Sequence, residues 1–176
     1  VSYYLLRDLP PNTDPLGPDN LLIFAPGIMQ GSNFPGAGRH GVGGKSPLTG
    51  ALGSSEVGGW WGHEFKRAGF DALVIRGRAD SPVYLWIKDG EVEVRPADHL
   101  WGMLTAPTEQ AIRSELGDER VRVAQIGPAG ENLVLCACIR NDKHRAAGRS
   151  DAGRFPIRVG RGTVRQGPLP HRSAWP

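Results

Sequence analysis

The sequence predicts an α+β domain, and three observations carry that expectation. An apolar run, a Gly/Pro break and a Gly/Ala-rich turn ending in arginine occur twice in that order, from Leu21 to Arg39 and from Val121 to Arg149. Two runs rich in β-branched and aromatic residues flank Asp89-Gly90, a strong hairpin signal. Two further segments, 57–68 and 105–116, place apolar residues at helical spacing and are each followed by a glycine, Gly69 and Gly117. The duplicated pattern also predicts two similar β-rich halves whose turns lie close together on one face.

Residues 2–8 read as the last turns of a helix. Pro10-Pro11 and Asp14-Pro15-Leu-Gly-Pro18 make a rigid turn region that delivers the chain to a strand at 21–25. From Gly27 to Gly59 there are 11 glycines in 33 residues, so this stretch is expected to be mostly loop and a binding surface. The helix over Val57–Ala68 puts Trp61, Phe65 and Ala68 on one face, and Gly58-Gly59 leaves the N–H groups of its amino end open to a ligand. Asp71–Gly77 reads as a buried strand, and Val83–Lys88 with Glu91–Arg95 as the hairpin. Thr105 is expected to cap the next helix, with Pro107 in its first turn and Ile112 and Leu116 toward the core. Strands at 120–126 and 133–139 follow. Period two then sets Cys136 and Cys138 on one side of the last strand, as buried reduced thiols.

The formal charge of +3 is unevenly spread. Residues 151–176 hold five of the 21 lysines and arginines but one of the 18 acids, Asp151, which leaves 16 basic against 17 acidic residues in 1–150. The pI of 9.1 therefore belongs to the tail, and the body has no charge reason to seek nucleic acid. No apolar run approaches the ~20 residues of a membrane span, and no basic–apolar–small leader is present. The expectations are no membrane and a reducing, cytoplasmic setting. Two cysteines alone cannot complete a zinc or iron–sulfur site. Residues 150–176 lack lysine, glutamate and any period of 2 or 3.6, which predicts a disordered Arg/Gly/Pro-rich appendix of the kind a shifted reading frame in GC-rich DNA yields.

A strand that stops at Gly/Pro and opens into a glycine-lined turn leaves N–H groups uncovered, and a neighbouring arginine adds a planar fork of donors suited to phosphate. The order Gly-Arg39, Lys45-Ser-Pro-Leu-Thr-Gly50, Glu56-Val-Gly-Gly59 and Gly62-His-Glu-Phe-Lys-Arg-Ala-Gly69-Phe-Asp-Ala resembles the amino-terminal domain of the tungsten-dependent aldehyde ferredoxin oxidoreductases. Ile126-Gly-Pro-Ala-Gly-Glu-Asn132 and Asn141-Asp-Lys-His-Arg-Ala-Ala-Gly-Arg149 extend the resemblance over residues 1 to about 149, without roughly the first three dozen residues of the family. Ser150 onward matches none of it.

The resemblance implies an α+β unit of two similar halves, forming a platform for a tungsten (or molybdenum) ion held by two pterins. By motif position it implies that Arg39 reaches between the pterin and a 4Fe-4S cluster. Glu56 and Gly58 would lie in a loop approaching the pterin phosphates, and Arg145, Ala146 and Gly148 in a second phosphate-contacting turn. A magnesium ion bridging the phosphates would be held by Glu56 and the carbonyl of Ala146. Well-known members carry asparagine where Glu56 stands; a carboxylate is still a hard oxygen ligand.

The implied activity is oxidation of an aldehyde to a carboxylic acid with ferredoxin as electron acceptor. Cluster cysteines and substrate pocket would come from later domains, no catalytic residue is implied here, and a homodimer is left open. The residues also admit a phosphate-binding module without redox activity, or a non-catalytic fragment. Among other single residues, Lys45 is a candidate auxiliary phosphate contact, and Trp60 and Trp61 read as core. His63 is expected to be solvated, His144 structural, and Arg149 a brace for the fold.

Overall fold

Four consecutive buried residues, Leu21 to Phe24, require cover on both sides of the first strand. The computed structural model describes residues 1–142 and 145–147, so His144, Gly148, Arg149 and the 150–176 appendix lie outside the described residues. In it, β1 (Leu21–Pro26) is an inner strand of an antiparallel sheet ordered β3-β2-β1-β4, with β2 Arg39–Lys45, β3 Leu52–Gly58 and β4 Leu73–Arg76. Side chains alternate across this sheet. Leu21 and Ile23 pack with Leu5 of α1 (Ser2–Asp8), whereas Leu22 and Phe24 join Val42, Val57 and Phe65, the last from α2 (Trp61–Arg67).

A hairpin of β5 (Val83–Lys88) and β6 (Glu91–Pro96) turns on Asp89 and Gly90, with φ of 49° and 86°; two positive φ values fit the right-handed twist of the flanking strands. A 3₁₀ turn at Asp98–Leu100 leads to α3 (Thr105–Leu116), whose Ile112 packs with Ala97, Leu100 and Val123. Gly117 ends α3 at φ 66°, the left-handed stop expected of glycine. A last antiparallel sheet holds β7 (Ala124–Gln125), β8 (Ile139–Asn141) and β9 (Arg145–Ala147), with α4 (Pro128–Glu131) between β7 and β8. Ile139 and Ala147 enter the same core as Phe24 and Phe65, so this sheet closes onto the first, with β9 against β3. Among the described residues no helix is long and apolar enough to cross a membrane.

The structure revises several elements. The glycine-rich stretch 27–59 holds two strands rather than mostly loop. Its glycines serve close packing: a Cβ on Gly43 would stand 2.7 Å from the Gly53 carbonyl and would overlap Val1. The helix expected from Val57 begins at Trp61, because Val57 is buried on β3, with the alternating exposure of a strand. Thr105 is the first residue inside α3 rather than its cap, and no side chain caps that end. The strand expected over 120–126 shrinks to Ala124–Gln125. The one expected over 133–139 begins at Ile139, because Leu133, at φ 56°, turns the chain just after α4. Cys136 is consequently exposed and Cys138 half-buried, not a pair of core thiols.

Candidate anion-binding site

Arg39 opens β2 directly opposite Gly58 on β3, and residues opposite one another in an antiparallel ladder project to the same face. Gly58 offers no side chain to fill the place beside Arg39. That place is taken from the other sheet: a Cβ on Gly58 would stand 3.2 Å from Nη1 of Arg145, the first residue of β9. Two registers further along the same face is Glu56, opposite Gly41, with an Oε2 3.9 Å from Arg39 Nη1. Both side chains are about 70% exposed (69% and 70%), so the pair is worth on the order of 0–1 kcal/mol and leaves the arginine able to turn toward a ligand.

Gly59 makes the next step possible. Its φ is 116°, a region closed to most L side chains, and a Cβ there would overlap Asp142 Oδ2 and stand 2.8 Å from Arg145 Cδ. The Gly58-Gly59 turn is held to β8 by Asn141, whose Nδ2 donates to the Gly58 carbonyl at 3.0 Å. Asp142 Oδ2 accepts from the N–H groups of Trp60 (2.5 Å) and Trp61 (3.0 Å). The amino end of α2, expected to be open to a ligand, is thus capped by the chain's own carboxylate.

Arg39, Gly58, Gly59 and Arg145 line one open cleft of about 650 Å³, shared with Phe34 and Trp60. Two guanidinium groups beside two residues without side chains fit an anion with several oxygens, such as a phosphate ester. A larger cleft of about 890 Å³ lies between the first sheet, the hairpin and α3; it is mostly apolar, and neither Arg39, Glu56 nor Arg145 lines it. Its lining also includes Arg67, Lys88, Arg120 and Arg122, but the two motif arginines gather only in the smaller cleft, which is the candidate site.

The remaining expected residues divide. Ala146 is exposed on β9, but neither it nor Glu56 lines the cleft, and Glu56 and Gly58 stand on a strand rather than in a loop. Among the described residues no group of three or more His, Cys, Asp and Glu is placed to hold a metal ion. Lys45 is at the far end of β2 from Arg39, roughly 20 Å along the strand, where its Nζ donates to the Pro11 carbonyl at 2.6 Å. It is no phosphate contact in this arrangement. His63 is half-buried rather than simply solvated, and it lines the cleft: its Nδ1 accepts from the Gly31 N–H at 3.1 Å, and its ring meets Trp60 edge-on at 5.5 Å. Trp61 is core, stacked on Phe65 at 5.1 Å, whereas Trp60 is 56% exposed at the cleft.

Behind the site, on the opposite face of β2, His40 is buried between Phe24 and Trp61. Burial pushes its imidazole down from 6.5 to about 4, partly offset by the nearby Asp142 carboxylate. His40, Asn141 and Asp142 carry no role in the sequence reading, because their partners lie up to 83 positions away. The one available signal was the adjacency of Asn141-Asp142 to the second arginine turn.

Over most of its length the chain is similar to known proteins. The family model described as the aldehyde ferredoxin oxidoreductase N-terminal domain matches residues 1–155. The chain is 51% identical over 151 residues to the tungsten-containing aldehyde ferredoxin oxidoreductase of Pyrococcus furiosus, covering 86% of this chain and 25% of that protein. It is 32% identical to the glyceraldehyde-3-phosphate:ferredoxin oxidoreductase of the same organism, covering 86% and 26%. Among solved structures it superposes, with a TM-score of 0.83 and 39% identity, on the active-site complex BamBC of benzoyl coenzyme A reductase, covering 86% of this chain and 23% of that one. The chain spans about a quarter of the length of these relatives. With a match running through most of its length and a shared fold, the chain belongs to the family of aldehyde ferredoxin oxidoreductase N-terminal domains.

Proposed function

We propose that this chain holds the phosphate end of a tungsten (or molybdenum) bis-pterin cofactor, within an oxidoreductase that converts an aldehyde to a carboxylic acid and passes electrons to ferredoxin. The observation that carries the reading is the meeting of Arg39 and Arg145 across Gly58-Gly59 in one cleft. The names of the relatives, tungsten-containing and ferredoxin-dependent, support the metal and the acceptor. When bound, the metal–pterin supplies the two-electron and oxygen-transfer chemistry.

The chain's own residues do the anchoring. Arg39 and Arg145 donate to phosphate oxygens, and the two glycines admit those oxygens close to the backbone. Gly148, outside the described residues, would add a further contact, and Arg39 would serve between the phosphate and a 4Fe-4S cluster whose cysteines would come from other parts of the enzyme. Glu56, beside Arg39, and the Ala146 carbonyl, next to Arg145, stand outside the cleft lining, and from there they would supply two hard oxygen ligands to a magnesium ion. The working unit in this reading is residues 1–149, two similar halves forming a platform, with 150–176 appended to it. Its support is that β1–β2–β3 and β7–β8–β9 are both antiparallel meanders.

The test uses a protein that carries this domain together with the remaining three-quarters found in the relatives. Arg39→Ala and Arg145→Ala are expected each to lower tungsten and pterin content and aldehyde oxidation by about tenfold or more, and Lys45→Ala neither. Full cofactor content in both arginine variants would overturn the assignment. A parent protein that binds phosphate but contains no tungsten, molybdenum or pterin would establish instead a phosphate-binding module without redox activity.

A further inference from the structure

We propose that Asp142 is a positioning residue that joins the two arginine turns into one site, an inference that rests on the cofactor-anchoring reading above. Arg39 belongs to the first sheet and Arg145 to the last, and β3 and β9, which bring them together, make no ladder with one another. Their relative placement therefore depends on what ties the Gly58-Gly59 turn to the β8–β9 turn.

Asp142 supplies that tie from both directions. It is the first residue after β8, three positions before Arg145, and its φ of 48° starts the turn that carries the chain to β9; aspartate is among the few side chains that tolerate this region. Its carboxylate, 7% exposed, takes the N–H groups of Trp60 and Trp61, the residues directly after the glycine turn. Asn141 adds the bond to the Gly58 carbonyl.

The carboxylate has its own charge balance. Arg122 Nη1 stands 4.0 Å from Oδ1, and the dipole of the opening turn of α2 faces Oδ2. Bonds from backbone N–H to an ionised carboxylate are roughly twice as strong as neutral ones. The packing permits little slack, since Gly59 already meets Asp142, Asn141 and the Arg145 stem wherever a side chain would begin. The consequence is a division of labour. The α2 amino end serves the protein's own carboxylate, and the anion is left to the two guanidinium groups that this carboxylate holds in place.

The test compares Asp142→Ala and Asp142→Asn in the 176-residue chain by NMR, with inorganic pyrophosphate as the probe. In Asp142→Ala, amide exchange at Trp60 and Trp61 is expected to rise about tenfold or more, while Ile23 in β1 is unchanged. The proximity signal between Arg145 Hδ and Gly59 Hα is expected to be lost. In Asp142→Asn, which keeps an acceptor but not the charge, both effects are expected to be smaller. It serves as the test should the alanine variant not fold. In the parent, Arg39 and Arg145 Nε–H signals are expected to titrate together with pyrophosphate, and in Asp142→Ala with separate midpoints. Unchanged exchange at Trp60 and Trp61, an equal rise at Ile23, or a retained Arg145–Gly59 signal would each overturn the proposal. Absence of any pyrophosphate response in the parent overturns the phosphate reading instead, because the exchange and proximity measurements need no ligand.

Discussion

His40 shows how one buried side chain ties the site to pH. The folded protein holds it neutral down to about 4, whereas the unfolded chain takes up the proton near 6.5. Between those values the unfolded state binds more protons, so stability is complete above about pH 6.5 and falls as the pH drops toward 4. The loss contributed by this one group is on the order of 3 kcal/mol at the low end. Carboxylates titrate in part of the same window, so the check is a difference. Urea unfolding of the parent and of His40→Phe at pH 7 and pH 4.5 should show a smaller pH loss in the variant, which keeps an aromatic ring between Phe24 and Trp61. Equal losses would mean that the ring is protonated without cost. A second residue-scale expectation concerns Glu109, 4% exposed in α3 and paired with Arg113 at 2.5 Å. Arg113 also donates from Nε to the Val121 carbonyl. Removing the acid strands a buried guanidinium, so Glu109→Ala is expected to cost about 3–5 kcal/mol in thermal or urea unfolding.

At the scale of the element, glycine explains both what the sequence disclosed and what it concealed. Asp89-Gly90 and Gly117 stand where turn chemistry demands them, and local geometry was enough to find the hairpin and the end of α3. In β2 and β3 the same residue type has another purpose, letting strands and α1 come close, and a glycine count reads this as loop. The apolar run Leu133–Leu135 misled for the opposite reason. It reads as a buried strand but is between 42% and 46% exposed, because the chain turns at Leu133 before pairing begins. The arginines of the candidate site were legible from their motifs; the carboxylate and amide that align them were not, since no local pattern marks a contact over 80 positions long. Gly59→Ala tests the element directly. A φ of 116° with Asp142, Asn141 and Arg145 all in the path of a Cβ should cost about 1–3 kcal/mol in urea unfolding. It should also shift the Arg145 side-chain resonances; an alanine variant of parental stability would mean that the turn relaxes freely.

For the molecule as a whole, the relatives carry one scaffold into different chemistries: their names span aldehydes, glyceraldehyde-3-phosphate and a benzoyl coenzyme A reductase. The shared fold therefore does not by itself say which substrate applies, and function must be argued from the site rather than the fold. The anchoring reading has a quantitative consequence. Exposed arginine–phosphate pairs are worth on the order of 0–1 kcal/mol each, far from the ~12 kcal/mol of nanomolar binding. A 4Fe-4S cluster also needs about four thiolates, and the chain has two cysteines. The 176-residue chain, reconstituted with metal and pterin, is accordingly expected not to reduce benzyl viologen with any aldehyde. Turnover by the isolated chain would contradict the anchoring role.

The bonds from Asp142 to Trp60 and Trp61 also set an order of events in time. They join residues 82 and 81 positions apart, so the loop they close is among the last to gain from closing. On the ribosome, β1, β2 and β3 can pair while the second turn is still unmade, but Arg39 has no opposing guanidinium until residue 145 has emerged. Pulse-labelled exchange during refolding should find Ile23 protected before Trp60. A nascent chain that has exposed only its first sheet then offers half a cleft, and in the anchoring reading proposed above the cofactor would load only after synthesis has passed the second turn.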